Sequence, residues 1–224
     1  KAKGVIHMHV PPVFHEDNPE ILHGIIRNAR LAQFVTATAK GPIATPLPLF
    51  LDTEEGEFGV LYGHLAQPNP QWKEPVLGEA LAIFMGADAY ISASWYPSKQ
   101  LHHKVVPTWN YEAVQAFGPV EFFRDPNRLL AIVTRLTNQH EATQKTPWHV
   151  TDAPDAFIQG QLKGIVGLRM PITRLLAKRK MSQNRGADDR AGVVRGLAAS
   201  ADPLDRAVAQ MIPVEGDAIR PDLD

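Results

Sequence analysis

Short apolar runs separated by turn residues fill most of the chain, and they predict a sheet-rich fold. Several runs alternate between apolar and polar residues, as expected for a strand with one buried face. Predicted strands cover residues 33–38, 43–51, 58–64, 79–85, 89–92, 109–123, 165–172 and 174–181. The long strand at 109–123 is expected to bend at Gly118-Pro119. Because the links are too short for crossover helices, we expect antiparallel pairing in a closed or split barrel.

Apolar positions spaced by three and four residues predict helices beside these strands. They cover residues 19–30, 126–140, 156–162, 188–200 and 203–211, with Asp125, Asp188 and Asp202 as candidate N-caps. The fold class is therefore α+β. We expect a barrel domain at 8–185, a helical extension at 186–212 and a tail at 213–224, and we exclude residues 1–7 from fold reasoning.

Prolines and glycines indicate where regular structure is interrupted. Pro46 and Pro48 both lack an N–H, so the strand at 43–51 should lie at an edge or a barrel rim. Residues 66–75 carry three prolines and are predicted to be irregular, Gly86–Asp88 to form a turn, and Ser98–Val106 to form a loop.

Composition is that of an ordinary globular chain and excludes several kinds of chemistry. The 224 residues are 44% hydrophobic and include no cysteine, which excludes disulfides, thiolate catalysis and cysteine-ligated metals. No window approaches eighteen consecutive apolar residues, so no membrane span is expected, and no secretory signal pattern is found. A cytoplasmic location is the resulting expectation.

Charge is nearly balanced overall but uneven along the chain. The formal net charge of −1 argues against a protein whose whole surface grips nucleic acid. Residues 156–187, however, contain no acidic side chain and seven basic ones: Lys163, Arg169, Arg174, Lys178, Arg179, Lys180 and Arg185. This region is either a solvated face or a site for a phosphate-bearing ligand or partner.

Two polar segments have the chemistry of ligand loops. The segment 64–72 carries Gln67, Asn69 and Gln71 between prolines and ends at Trp72, so its amides could cradle a phosphate or ribityl chain or could satisfy the loop backbone. In the second segment, Lys180 and Arg185 flank Ser182, Gln183 and Asn184, which are groups that a phosphate accepts hydrogen bonds from. A basic turn without a ligand is the alternative.

The segment Ile91–Tyr111 concentrates aromatic residues. It holds two of the four tryptophans, two of the four tyrosines and the pair His102-His103. Aromatic rings beside hydroxyls and amides suit a planar polar ligand, and a core hairpin anchored by tryptophans is the alternative.

Motifs for several enzyme and binding classes are absent from the sequence. HExxH, G-x-S-x-G and the Rossmann glycine pattern are missing, and the paired C-terminal helices lack a DNA-reading face. His64, at a strand end, is predicted to be either a ligand contact or a core histidine, whereas His102 and His103 are predicted to be solvent-exposed. We assign no catalytic residue and expect no metal site.

Taken together, these segments resemble the PaiB family of FMN-binding negative transcriptional regulators. The matching runs span nearly the whole chain in the family's order: Met8–Phe14, Ala44–Leu49, Tyr62–Trp72, Ile91–Tyr96, Val106–Tyr111, Gly164–Gly167 and Lys180–Asn184. Three positions depart from the family's common residues, since Pro46 stands where His is usual, His9 where Tyr is common and Ala93 where Pro is common.

The resemblance implies an antiparallel split β-barrel of the FMN-binding type with flanking helices, in which two chains pair and FMN lies in a groove at their interface. The cofactor-binding residues that it implies are Thr45, Leu47, Pro48, His64, Gln67, Asn69, Gln71, Trp72, Trp109, Asn110, Lys180, Ser182, Gln183, Asn184 and Arg185. Trp95 and Tyr96 would then brace the groove from the core or the partner chain, and the His102–Lys104 loop would form a flap.

Several functions stay open on the sequence alone. An FMN-binding homodimer with a transcriptional or metabolic regulatory role is the first. A flavin-dependent oxidoreductase, and a haem-binding barrel with His64, His102 or His103 as axial ligand, are alternatives. DNA binding would have to run through residues 163–185 and weaken steeply with salt.

Overall fold

The fold is described from a computed structural model, which describes residues 8–214. The N-terminal residues 1–7 and all but the first two residues of the predicted tail at 213–224 lie outside the described residues. The strands are β1 Ala32–Thr38, β2 Gly41–Leu47, β3 Phe50–Asp52, β4 Val60–Ala66, β5 Ala80–Ile91, β6 Thr108–Gly118, β7 Glu121–Phe123, β8 Ile165–Pro171 and β9 Arg174–Lys180. The helices are α1 Pro19–Asn28, α2 Ser98–His102, α3 Pro126–Glu141, α4 Asp155–Leu162, α5 Ala187–Ala198 and α6 Pro203–Met211. Short 3₁₀ turns lie at Pro12–Phe14, Pro70–Trp72, Ala93–Trp95 and Val150–Asp152.

The chain forms two compact units, and β5, β6 and β9 each begin in one and end in the other. Of the described residues, the first unit comprises 8–25, 85–114 and 176–214, and the second comprises 26–84 and 115–175. The strand pairs whose register the structure gives are all antiparallel, as predicted.

In the second unit, β1 lies between β2 and the beginning of β5, with Phe34 opposite Thr45 on one side and Ala82 on the other. A second sheet has the order β3-β4-β8-β7. Helices α3 and α4 cover it through one apolar cluster: Phe50, Phe123, Leu129, Ile132, Leu136 and Leu162. This sheet and its covering helices position one of the cavities described below.

In the first unit, the remaining parts of β5, β6 and β9 lie in the order β5-β6-β9. Helices α5 and α6 pack together and supply much of its core, which consists of Ala89, Ile91, Tyr96, Met181, Val193, Leu197, Val208, Ala209 and Ile212. A Cβ at Gly196 would lie 2.3 Å from the Trp95 ring, so this glycine lets the indole lie directly on α5.

The prediction of one continuous strand at 43–51 is wrong, but the prediction that this segment lies at a sheet edge is confirmed. It is two strands in different sheets, because the chain leaves β2 at Pro48-Leu49 and begins β3 at Phe50. Both β2 and β3 are the outer strands of their sheets, where a proline such as Pro46 need not remove a ladder bond.

The turn predicted at Gly86–Asp88 is wrong, because β5 runs unbroken from Ala80 to Ile91. A Cβ at Gly86 would lie 2.8 Å from the Cβ of Glu112, so this glycine allows a close approach within the sheet rather than a change of direction.

The predicted loop at Ser98–Val106 contains a short helix, α2. Pro97 precedes it with helical φ and ψ, and His103 ends it in the left-handed conformation at φ 59°. The 66–75 segment likewise includes one 3₁₀ turn at Pro70–Trp72.

Two of the three predicted helix caps are confirmed. Asp125 accepts a hydrogen bond from Arg128 N at 2.8 Å, and Asp202 accepts one from Leu204 N at 2.9 Å. The prediction for Asp188 is wrong, since Gly186 is the N-cap of α5 and Asp188 lies in its first turn.

Two glycines in the second unit, one in a tight contact and one in open space, allow a matched test of the close packing there. A Cβ at Gly118 would lie 1.9 Å from the carbonyl oxygen of Pro171, whereas a Cβ at Gly160, within α4, would meet nothing within 4 Å. We expect Gly118→Ala to lower the free energy of unfolding by about 2 kcal/mol or more. Gly160→Ala should raise it by about 0.5–1 kcal/mol. Urea denaturation measures both, and equal effects of the two substitutions would contradict the assigned contact.

Candidate functional site

The amide-rich corner predicted at residues 67–72 is organised around the buried side chain of Gln71. Its Nε2 donates to Phe34 O at 3.2 Å, to Ile43 O at 3.1 Å and to Thr36 Oγ1 at 3.1 Å. Its Oε1 accepts from Thr45 Oγ1 at 2.6 Å. Gln71 is fully buried, so this one amide fastens the 67–72 segment to β1 and β2.

Asn69 and Trp72 complete the corner. Asn69 donates through Nδ2 to Thr45 Oγ1 at 3.1 Å, and its Oδ1 accepts the Gln71 N–H at 2.8 Å. The Trp72 indole donates to the main-chain oxygen of Gln67 at 3.0 Å. Much of the polar capacity of the segment is therefore used internally, and its role is to fix the shape of the β1–β2 hairpin.

The other predicted residues of this rim differ in exposure. Leu47 is buried, Pro48 is half-buried and Pro46 is exposed at the end of β2. Leu47 therefore faces the core, whereas Pro46 and Pro48 lie at the surface.

The basic turn after β9, in the first unit, keeps its shape through hydrogen bonds made by its own side chains. Ser182 adopts the left-handed conformation at φ 60°. Gln183 spans the turn, since its Oε1 accepts Met181 N at 2.6 Å and its Nε2 donates to Arg179 O at 2.6 Å. The predicted ligand amide of Gln183 therefore shapes the turn.

Hydrogen bonds made by Asn110 and Lys180 tie this turn to the start of β6. Asn110 Nδ2 donates to Ser182 Oγ at 3.0 Å, and both side chains are buried. Lys180 Nζ donates to Trp109 O at 2.9 Å and to Thr108 Oγ1. The turn and the strand therefore form one rigid wall.

A small cavity of about 100 Å³ opens at this wall. It is lined by Tyr96, Val106, Pro107, Thr108, Asn110, Lys180, Ser182, Asn184 and Arg185. Five of the predicted cofactor residues meet here, and the sequence prediction omitted the cavity's Thr108, Pro107 and Val106. These three residues belong to the Val106–Tyr111 run, so their place in that run was the available signal.

The cavity is electropositive. Neither Lys180 nor Arg185 takes part in the ion pairs found among residues 8–214. The pKa of Lys180 is lowered by burial first, and then by repulsion from Lys178 and Arg185. An anion in the cavity would relieve this repulsion.

Tyr96 forms the floor of the cavity. The Arg185 guanidinium lies 4.7 Å from the centre of its ring, a cation–π distance. Burial raises the pKa of the Tyr96 hydroxyl, which therefore keeps its proton.

His64 belongs neither to the amide-rich corner at 67–72 nor to the cavity at the basic turn. It projects from β4 into an apolar cavity of about 270 Å³ between the four-stranded sheet, α3 and α4. Burial lowers the pKa of its imidazole, so the neutral form is favoured.

The described residues show neither a histidine and carboxylate group suited to a metal ion nor a helix long and apolar enough to cross a membrane.

Comparison with known proteins agrees with this architecture. Residues 8–174 match the family described as "Putative FMN-binding domain". The chain is 30% identical over 206 residues to the Bacillus subtilis "Protease synthase and sporulation protein PAI 2", covering 92% of this chain and 96% of the relative. The chain belongs to the PaiB family.

Solved structures show that this PaiB-family chain has the predicted fold class. The FAD and Heme binding protein from Mycobacterium smegmatis superposes with a TM-score of 0.55 at 13% identity, over 74% of this chain and 73% of that one. The flavocytochrome Anf3 from Azotobacter vinelandii gives 0.56 at 14% identity, over 96% and 87%. The prediction of an α+β split barrel with flanking helices is confirmed.

The Gln71 network can be tested by removing its hydrogen bonds at nearly constant volume. Gln71→Leu leaves Thr36, Thr45 and two main-chain carbonyls without their partner, so we expect the free energy of unfolding to fall by about 2–4 kcal/mol. Gln33→Leu, at an exposed position of the same hairpin, is the control and should change it by less than about 0.5 kcal/mol. A Gln71→Leu protein as stable as the control in urea denaturation would show that the network is not structural.

Proposed function

We propose that this PaiB-family protein binds FMN, and that the cavity at the basic turn holds the phosphate of the cofactor. The observation that carries the proposal is the pair of cations without carboxylate partners, Lys180 and Arg185, at a small polar cavity. Family membership supports the choice of a flavin over other phosphorylated ligands.

The residues present fit a phosphate group. Lys180 and Arg185 supply charge, and Asn184 supplies a neutral donor beside them. A cavity of about 100 Å³ has the size of a phosphate rather than of a whole flavin, so the ring system must lie outside it.

An aromatic surface is available for the ring on the same unit. The side chain of Trp109 is 53% exposed and its ring centre lies 5.8 Å from that of Tyr90, which is 48% exposed. Stacking on exposed aromatic faces would suit an isoalloxazine. The bound flavin would supply redox chemistry, while the chain's own residues bind and orient it.

The same exposed aromatic pair supports a homodimer. Large apolar side chains that pack on each other in solvent indicate a surface that is covered in the working protein. A second copy of the chain is our proposed cover, because it would also enclose a flavin lying on Trp109. Light scattering at micromolar concentration should give twice the chain mass, and a monomer would contradict this assignment.

A regulatory role without direct DNA binding agrees best with the charges. Three of the seven basic residues at 163–185 are in ion pairs, namely Arg169 with Glu55, Arg174 with Glu79 and Arg179 with Glu112. This pairing removes much of the positive field that phosphate backbones require. We therefore propose that regulation acts through the flavin and protein partners.

Haem remains a second candidate for one specific reason, the neutral imidazole of His64 in the wall of its cavity. An axial ligand must be a free imidazole nitrogen. The cavity at His64 lacks charged side chains for haem propionates, so we favour FMN as the cofactor.

The phosphate assignment predicts a difference between FMN and riboflavin, which lacks the phosphate. Arg185→Ala should weaken FMN about tenfold or more, because a charge-assisted hydrogen bond contributes about 1.5–3 kcal/mol. Riboflavin binding should change less than about twofold. Fluorescence titration of both flavins measures this, with Lys163→Ala, an exposed basic residue outside the cavity, as the control. Equal loss for the two flavins would contradict a phosphate role for Arg185.

A further inference from the structure

The cavity at His64 has the features of a ligand site, and none of the residues proposed above to bind FMN lines it. It lies in the second unit, between β4, β8, α3 and α4 and the 3₁₀ turn at Val150–Asp152. Its lining consists of His64, Val133, Thr137, Trp148, Val150, Phe157, Ile158, Gln161, Leu162 and Ile165. None of these side chains carries a formal charge when the imidazole is neutral. A phosphate or carboxylate would therefore be buried there without a charged partner, at high cost.

Two large aromatic side chains are left open to solvent at this cavity. Trp148 is 44% exposed and Phe157 is 56% exposed. Side chains of this size are usually buried, and a pair of them on one concave surface indicates contact with something apolar.

Among the polar residues of the lining, which include Thr137 and Gln161, His64 is the one with a buried polar atom that lacks a partner in the described part of the chain. The imidazole of His64 lines the cavity, and its buried Nδ1 has no hydrogen-bond partner among the described residues, so the protein does not fix the tautomer of the ring. A neutral imidazole offers one donor and one acceptor. A ligand carrying a single N–H, O–H or acceptor group can therefore be oriented by this ring.

The volume limits the size of the ligand. About 270 Å³ is just below the roughly 300–1,000 Å³ of sites that enclose drug-sized molecules. One or two fused rings would fill it.

We propose that this cavity binds a compact, uncharged, planar aromatic molecule, with His64 making the polar contact and Trp148 and Phe157 the apolar ones. In a flavin-binding regulator such a ligand would act as an effector separate from the cofactor.

Isothermal titration of the full-length protein with indole tests the proposal. Indole should bind once per chain with a dissociation constant near 10⁻⁴ M, about 0.6 kcal/mol per heavy atom and within the ceiling for small ligands. Indole-3-acetate, which adds a carboxylate, should bind at least tenfold more weakly. Saturating FMN should leave the affinity for indole unchanged within about twofold, so this result is independent of whether FMN binds.

Two variants and a control locate the site. Val133→Trp fills the cavity and should abolish indole binding, and Phe157→Ala should weaken it about threefold to tenfold. Gln139→Ala, at an exposed position of α3, should bind indole like the parent protein. Because Phe157 is already exposed, its variant decides the matter if Val133→Trp fails to fold.

Four results would overturn the proposal. They are the absence of saturable binding up to roughly 2 mM indole, equal affinity for indole-3-acetate, undiminished binding by Phe157→Ala, and displacement of indole by FMN or by hemin.

Discussion

A single buried amide fixes the geometry on which the second unit depends. The fully buried Gln71 side chain makes hydrogen bonds to Phe34 in β1 and to Ile43 and Thr45 in β2. A buried amide with every partner in place rigidifies its surroundings, whereas one that loses partners is costly. The β1–β2 hairpin and the 67–72 segment therefore keep one arrangement. The edge strand β2 is held by β1 and by Gln71, without a second neighbouring strand.

In the first unit a comparable constraint comes from the contacts between β6 and the turn after β9. Lys180 is held by oxygens of Thr108 and Trp109, and Ser182 is held by Asn110. These bonds place two cations at one small cavity. The same bonds keep Trp109 at the surface with its main chain fixed, so the proposed phosphate site and the proposed ring site are parts of one rigid element.

The sequence predicted those parts of the fold that depend on contacts between neighbouring residues, and missed those that depend on contacts between distant ones. Apolar periodicity and the aspartate–proline pairs at 125–126 and 202–203 gave correct helices, because capping involves neighbouring residues. Gly86 was misassigned to a turn because its real constraint, the nearby Glu112, is distant in sequence. The break at Pro48-Leu49 was missed for a related reason, since which sheet a strand joins is decided by non-local pairing.

The same distinction applies to the candidate site. Residue type marked the polar segments at 64–72 and 180–185 as candidate ligand loops, but it could not tell an amide that meets a ligand from one that holds the backbone. Gln71 and Gln183 do the latter. Nor could residue type show that His64 faces a cavity of its own, because that cavity is closed by helices from a later part of the chain.

The central claim is that the FMN phosphate binds between Lys180 and Arg185, and ³¹P NMR of the FMN-saturated protein tests it most directly. A free phosphate monoester titrates near pH 6, and two adjacent cations should hold it as the dianion. If the phosphate lies between these two cations, its bound resonance should be shifted from that of free FMN and stay constant between about pH 5 and 8. A bound resonance that titrates like free FMN, or no bound flavin at saturating concentration, would contradict it.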